Sequence, residues 1–173
     1  MKLILDYIRT IPNYPVKGVN FYDMNSLFSS GAFRYTIYQL AKKVKKFKGP
    51  THIVGIESRG FVVGSALSMI KDIPFLMVRK PNSAYPGKLL YQKYNLEYGQ
   101  SELTLQKGLL GHTSRCIIID DLVATGGSIM ATKSLIQQTG AKVLGAGTII
   151  DLKYTRPKPI DIDIVSLIME DKK

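Results

Sequence analysis

The segment Arg115 to Ser128 constrains this chain more than any other. Cys116, Ile117, Ile118 and Ile119 run directly into Asp120 and Asp121, and Leu122-Val123 then leads to Ala124-Thr125-Gly126-Gly127-Ser128. A short β-branched apolar run predicts a strand buried on both faces. Beyond it, Ile129, Ala131, Leu135 and Ile136 recur at helical spacing, and Thr139-Gly140 supplies the stop. Strand, polar loop and helix in that order turn free backbone N–H groups and the positive end of the helix dipole outward, and the two glycines let a phosphate come close. The spacing fits neither GxxxxGK[ST] nor GxGxxG, because no lysine follows the glycines directly and the acids come first. Acids in that place suit hydroxyls, so a ligand with a phosphate at one end and a vicinal diol beside it, such as a ribose phosphate, satisfies both halves. The plain alternative is a βα turn whose Gly-Gly serves tight packing.

A second strand–turn–helix unit lies earlier in the chain. His52 to Ile56 predicts a strand running into Glu57-Ser58-Arg59-Gly60 and then a helix carrying Phe61, Val62, Ala66, Leu67 and Ile70. Pro74 to Val78 predicts a third strand that delivers Arg79 and Lys80 at its C-terminal end, where ligands of open α/β sheets collect. Val143–Ile150 and Ile162–Ile168 read as further strands, and Phe33, Ile37, Leu40, Val44 and Phe47 as a long helix stopped at Gly49-Pro50. Alternating strands and helices imply an α/β fold with a mainly parallel central sheet flanked by helices. Leu3 to Ile11 carries apolar residues at helical spacing and is expected to be a short helix ending at Pro12. Residues 13–30, rich in Pro, Gly, Asn and Ser, and residues 81–99 are expected to be loops.

The 173 residues are expected to form one domain without an internal repeat. A net charge of +11 suits either nucleic acid or a substrate with several phosphates. Much of it sits in Lys42, Lys43, Lys45, Lys46 and Lys48, which interleave with Leu40, Ala41, Val44 and Phe47 as the solvated face of a helix does. The longest apolar runs are too short for a membrane span, and no signal-peptide core follows Met1. Cys116, the single cysteine, lies in the predicted central strand and fits a reducing cytoplasm. His52 and His112 lack the neighbours of a metal site or a catalytic triad.

The run Ile118-Ile119-Asp120-Asp121-Leu122-Val123-Ala124-Thr125-Gly126-Gly127-Ser128 resembles the phosphoribosyl pyrophosphate (PRPP) signature of type I phosphoribosyltransferases. Pro15-Val16-Lys17-Gly18-Val19-Asn20-Phe21-Tyr22-Asp23 is similar to the base-binding hood of the adenine branch, and Asn95-Leu96-Glu97-Tyr98-Gly99 to one of its characteristic motifs. The resemblance implies the type I fold with a small N-terminal hood at 1–30 and a mobile catalytic loop at 80–100. It also implies transfer of the phosphoribosyl group from PRPP to adenine, with Mg2+ as cofactor and a homodimeric assembly.

Residue by residue, it implies ribose binding by Asp120 and Asp121 and phosphate binding by Ala124, Thr125, Gly126, Gly127 and Ser128. Pyrophosphate falls to Ser58, Arg59, Gly60, Arg79, Lys80 and Lys88, the base to Val19, Phe21 and Tyr22, and proton handling on the purine to Glu97. The magnesium ion would be held mainly by PRPP, with no direct protein ligand assigned. The chain departs from the family where Lys17 and Tyr22 replace a proline and a basic residue, and where Asn82-Ser83-Ala84 stands in place of a loop lysine, with Lys88 as the candidate substitute. Neither nucleic acid nor membrane is expected as a partner. Two rivals stay open: a hypoxanthine or guanine substrate, and a PRPP-sensing regulator that binds nucleic acid.

Overall fold

A computed structural model describes residues 2–81, 86–96, 99–156 and 159–171. Its centre is a parallel sheet in the order β10-β9-β7-β3-β4, with a two-residue strand, β8, also on β9. Here β3 is His52–Ile56, β4 Phe75–Val78, β7 Arg115–Ile119, β8 Leu122–Val123, β9 Lys142–Leu152 and β10 Ile164–Glu170. Every pairing among them is parallel, so all strands present their C-terminal ends at one edge. The expected mainly parallel α/β architecture is found.

The central strand β7 is apolar because it is covered on both sides. Cys116, Ile117, Ile118 and Ile119 are each fully buried, and burying a side chain of that size contributes about 1.5–3 kcal/mol. Ile117 and Ile119 face one cluster with Leu40, Val44 and Leu67, while Cys116 and Ile118 face another with Ile129, Leu135 and Leu105. Burial pushes the Cys116 thiol up to about 12. The first side is closed by helices α3, Ala32–Lys43, and α4, Arg59–Lys71; the second by α5, Gly127–Gln137, and the hairpin of β5, Leu89–Leu96, and β6, Gly99–Gln106. Lys42, Lys43, Lys45, Lys46 and Lys48 are all exposed, around buried Ala41, Val44 and Phe47, as a solvated face requires.

Three expectations are corrected. The segment read as one helix from Leu3 to Ile11 is a single helical turn, α1, Lys2–Leu5, followed by strand β1, Arg9–Pro12. Pairing overrides the helical spacing there: β1 lies antiparallel on β2, Asn20–Asp23, and Ser26 Oγ accepts the Arg9 N–H at 2.9 Å. The expected loop at 13–30 therefore contains β2 and a short helix, α2, Met24–Phe28, capped by the Asp23 carboxylate. Half of the expected loop at 81–99 is β5, in full register with β6. An isolated bridge between Arg79 and Thr104 joins that hairpin to the end of β4.

Candidate active site

The acids at the end of β7 are held by an interruption that keeps register. Ile119 pairs with Gly147 and Leu122 with Ile150, so Asp120 and Asp121 sit within one continuous strand path. The Asp120 N–H donates to the Gly147 carbonyl, and the Asp121 carbonyl accepts from the N–H groups of Ile149 and Ile150. Both acids are buried, and Asp120 Oδ1 accepts the Asp121 N–H at 3.0 Å. Burial raises the Asp120 carboxyl well above the usual range, and the adjacent Asp121 charge raises it further. Burial also raises Asp121, against the lowering effect of Arg59.

Arg59 ties three parts of the site together. Its Nε lies 3.0 Å from Asp121 Oδ2, its Nη1 donates to the Tyr22 carbonyl at 3.2 Å, and its Cζ stands 5.6 Å from the Phe21 ring centroid. Arg59 and Asp121 thus form a partly buried ion pair. Glu57 serves β4: its Oε2 accepts the Lys80 N–H at 2.9 Å and lies 3.6 Å from Arg79 Nε. Arg79 and Lys80 are placed at the expected edge, with Lys80 exposed. Ser58 precedes α4, and the Glu57–Ser58 peptide is cis. Gly60 is required by packing: a Cβ there would stand 2.9 Å from Asp120 Oδ1 and from the Ile119 carbonyl.

The cradle opens α5. Gly126 has φ +85°, a conformation that suits glycine, and a Cβ would fall 2.8 Å from Ile160 Cδ1. Gly127 and Ser128 form the first turn, whose N–H groups point out of the helix. Arg156 braces the loop from below: its Nε donates to the Ala124 carbonyl at 2.9 Å, and its Nη2 pairs with buried Asp151. No motif in the sequence marks Arg156 for this task.

A cleft of about 830 Å³ lies between the hood and the cradle, a size in the usual range for small-molecule sites. It brings together Val19, Phe21, Tyr22, Arg59, Ala124 and Thr125, all expected site residues. Lys17, Gly18, Asn20, Leu122, Leu152, Tyr154 and Thr155 complete its wall. The last three come from the end of β9 and the turn after it, well beyond the signature in the sequence, with no local motif to mark them. Lys88 is exposed at the foot of the hairpin and does not line this cleft; its carbonyl accepts the Lys107 N–H. Glu97 lies outside the described residues. Among the described residues no group of three or more His, Cys, Asp or Glu side chains forms a metal site.

A parallel sheet with an acid pair, a glycine cradle and a cation pair at one edge defines a class that binds a phosphorylated sugar, and the comparisons agree. Residues 27–172 match the family described as phosphoribosyl transferase domain. The chain is 40% identical over 150 residues to an adenine phosphoribosyltransferase of Gloeobacter violaceus, covering 86% of each chain. It is 39% identical over 172 residues to that of Pasteurella multocida, covering 97% of this chain and 95% of the relative. The crystal structure of the adenine phosphoribosyltransferase of Thermoanaerobacter pseudethanolicus superposes with a TM-score of 0.90 at 36% identity, covering 97% and 98% of the two chains. The Saccharomyces cerevisiae enzyme, solved with an iminoaltritol bisphosphate and adenine, superposes at 0.88 with 28% identity, covering 96% and 97%. The chain belongs to the adenine phosphoribosyltransferase family.

Proposed function

We propose that this chain transfers the phosphoribosyl group of PRPP to adenine, giving AMP and pyrophosphate in purine salvage. The observation that carries the site assignment is the single cleft in which hood residues 19–22 face Arg59 and the cradle residues Ala124 and Thr125. A planar base under the hood then lies beside a sugar whose phosphate sits on the cradle.

Bond breaking at the anomeric carbon leaves positive charge on the ribose, as in glycoside cleavage. Asp120 and Asp121 accept the ribose hydroxyls and stand next to that charge. The N–H groups from Ala124 to Ser128, with the Thr125 and Ser128 hydroxyls, fix the phosphate and so the distance to the base nitrogen. Arg59, Arg79 and Lys80, with Ser58 and Gly60 in the same turn, stabilise the departing diphosphate, and Lys88 supplies the loop cation. Val19, Phe21 and Tyr22 enclose the base, and Glu97 handles its proton. Mg2+ would be held mainly by PRPP itself, with no direct protein ligand assigned. The ion supplies charge neutralisation of the leaving group.

A homodimer fits the exposed apolar side chains of Met77 on β4, the last strand of the sheet, and of Val62, Met69 and Ile70 on α4. No helix among the described residues is long and apolar enough to cross a membrane. We place the enzyme in the cytoplasm, where its buried lone thiol meets no oxidative demand.

Pyrophosphate release with PRPP and magnesium, offering adenine, hypoxanthine, guanine or no base, tests the reading. Turnover with adenine alone is expected. Turnover on an oxopurine would overturn the specificity, and tight PRPP binding without turnover on any base would overturn the activity.

A further inference from the structure

Tyr22 belongs to the hood strand β2, yet its ring is buried in the main core and its hydroxyl donates to Glu170 Oε2 at 2.7 Å, 148 residues away. Its carbonyl accepts from Arg59 of α4 at 3.2 Å. One residue is thus tied at two points, by its side chain to the far end of β10 and by its backbone to the turn after β3. Glu170 pairs in register with Leu152, whose side chain lines the cleft beside Tyr154. The hood needs such a tie. β1 and β2 pair only with each other, a two-stranded ribbon is marginal alone, and the Arg9–Asp23 pair on it is exposed on the arginine side. A hydrogen bond to a carboxylate is stronger than one between neutral groups, and burial together with Glu170 keeps the Tyr22 hydroxyl protonated as the donor.

We infer that Glu170 is a positioning residue of the base site: through Tyr22 it sets the height of the hood over the cleft and so the fit of the purine against Leu122 and Leu152. The inference rests on the hood being the base site. In this chain a tyrosine stands where the family has a basic residue, and the Tyr22–Glu170 clasp gives that departure a task.

The test is steady-state kinetics at saturating PRPP with adenine varied. Tyr22→Phe and Glu170→Ala should each raise the adenine KM about tenfold, the loss of one charge-assisted hydrogen bond, with kcat and the PRPP KM changed less than about twofold. The double variant should be no worse than either single one, because both remove the same interaction. Glu170→Gln, which keeps an acceptor oxygen, should restore most of the affinity. An unchanged adenine KM in both single variants, with or without a lower Tm, would overturn the inference, as would additive effects. Phe21→Ala separates the two failures. If it raises the adenine KM while Tyr22→Phe does not, the clasp is wrong and the hood stands. If neither does, the hood itself is wrong.

Discussion

The two strand–turn–helix units at the sheet edge, Glu57–Gly60 after β3 and Asp120–Ser128 after β7, use one architecture with the charges reversed. In the first, an acid holds cations: Glu57, still partly exposed, receives the Lys80 N–H and lies beside Arg79. In the second, a cation holds acids: Arg59 stands against Asp121, which is buried with Asp120. Each turn thus borrows its opposite charge from its neighbour. The difference is one of burial: Glu57 still meets solvent, whereas Asp120 and Asp121 are withdrawn from it and their carboxyls are raised by that burial.

Asp121→Asn should have the largest effect, since it removes the acid that the proposed reaction sets against the ribose and leaves the Arg59 charge without its carboxylate. We expect kcat/KM for PRPP to fall about 10²–10³-fold, the scale of losing one preorganised electrostatic contact; a loss no greater than that of the Glu57 variant would erase the distinction between the turns. Glu57→Gln should act less, about tenfold on kcat/KM, because an amide oxygen still accepts the Lys80 N–H and only the charge beside Arg79 is gone. A rise in the PRPP KM with little change in the adenine KM would place that effect on the diphosphate side.

The smallest effect is on stability. Because the native Asp120 carboxyl titrates above its unfolded value, the folded state holds the proton more tightly. The stability this contributes is full below the ordinary carboxylate range and is lost as pH rises through the native value. Asp120→Asn should therefore leave the ligand-free protein about as stable as wild type near pH 4 but more stable at pH 8, by about 1 kcal/mol or about 2–4 °C in Tm. Thermal unfolding at the two pH values checks it, and equal Tm differences at both would remove the buried-charge argument.

The elements of this edge were legible because their signals are local. An unbroken apolar run, a stop after the strand and glycines before a helical period place β7, its loop and α5 without knowledge of anything distant. The hood was less legible. Arg9-Thr10-Ile11-Pro12 becomes a strand only because Asn20–Asp23 and Ser26 lie beside it, and single-segment periodicity carries no record of such partners. Leu152, Tyr154, Thr155, Arg156 and Glu170 reach the site from the other end of the chain by the register of β9 and β10. An ordinary strand end and a basic turn give no chemical signal of that destination.

The buried thiol of the central strand has a practical consequence. Cys116 is fully buried with its thiol held near 12, and it is the chain's single cysteine, so reagents that seek thiolates at neutral pH find nothing to react with. A cysteine introduced at exposed Lys17 would then be the sole attachment point for a fluorophore. The natural chain is, in effect, a silent background on which the hood can be followed by light as substrates arrive and leave.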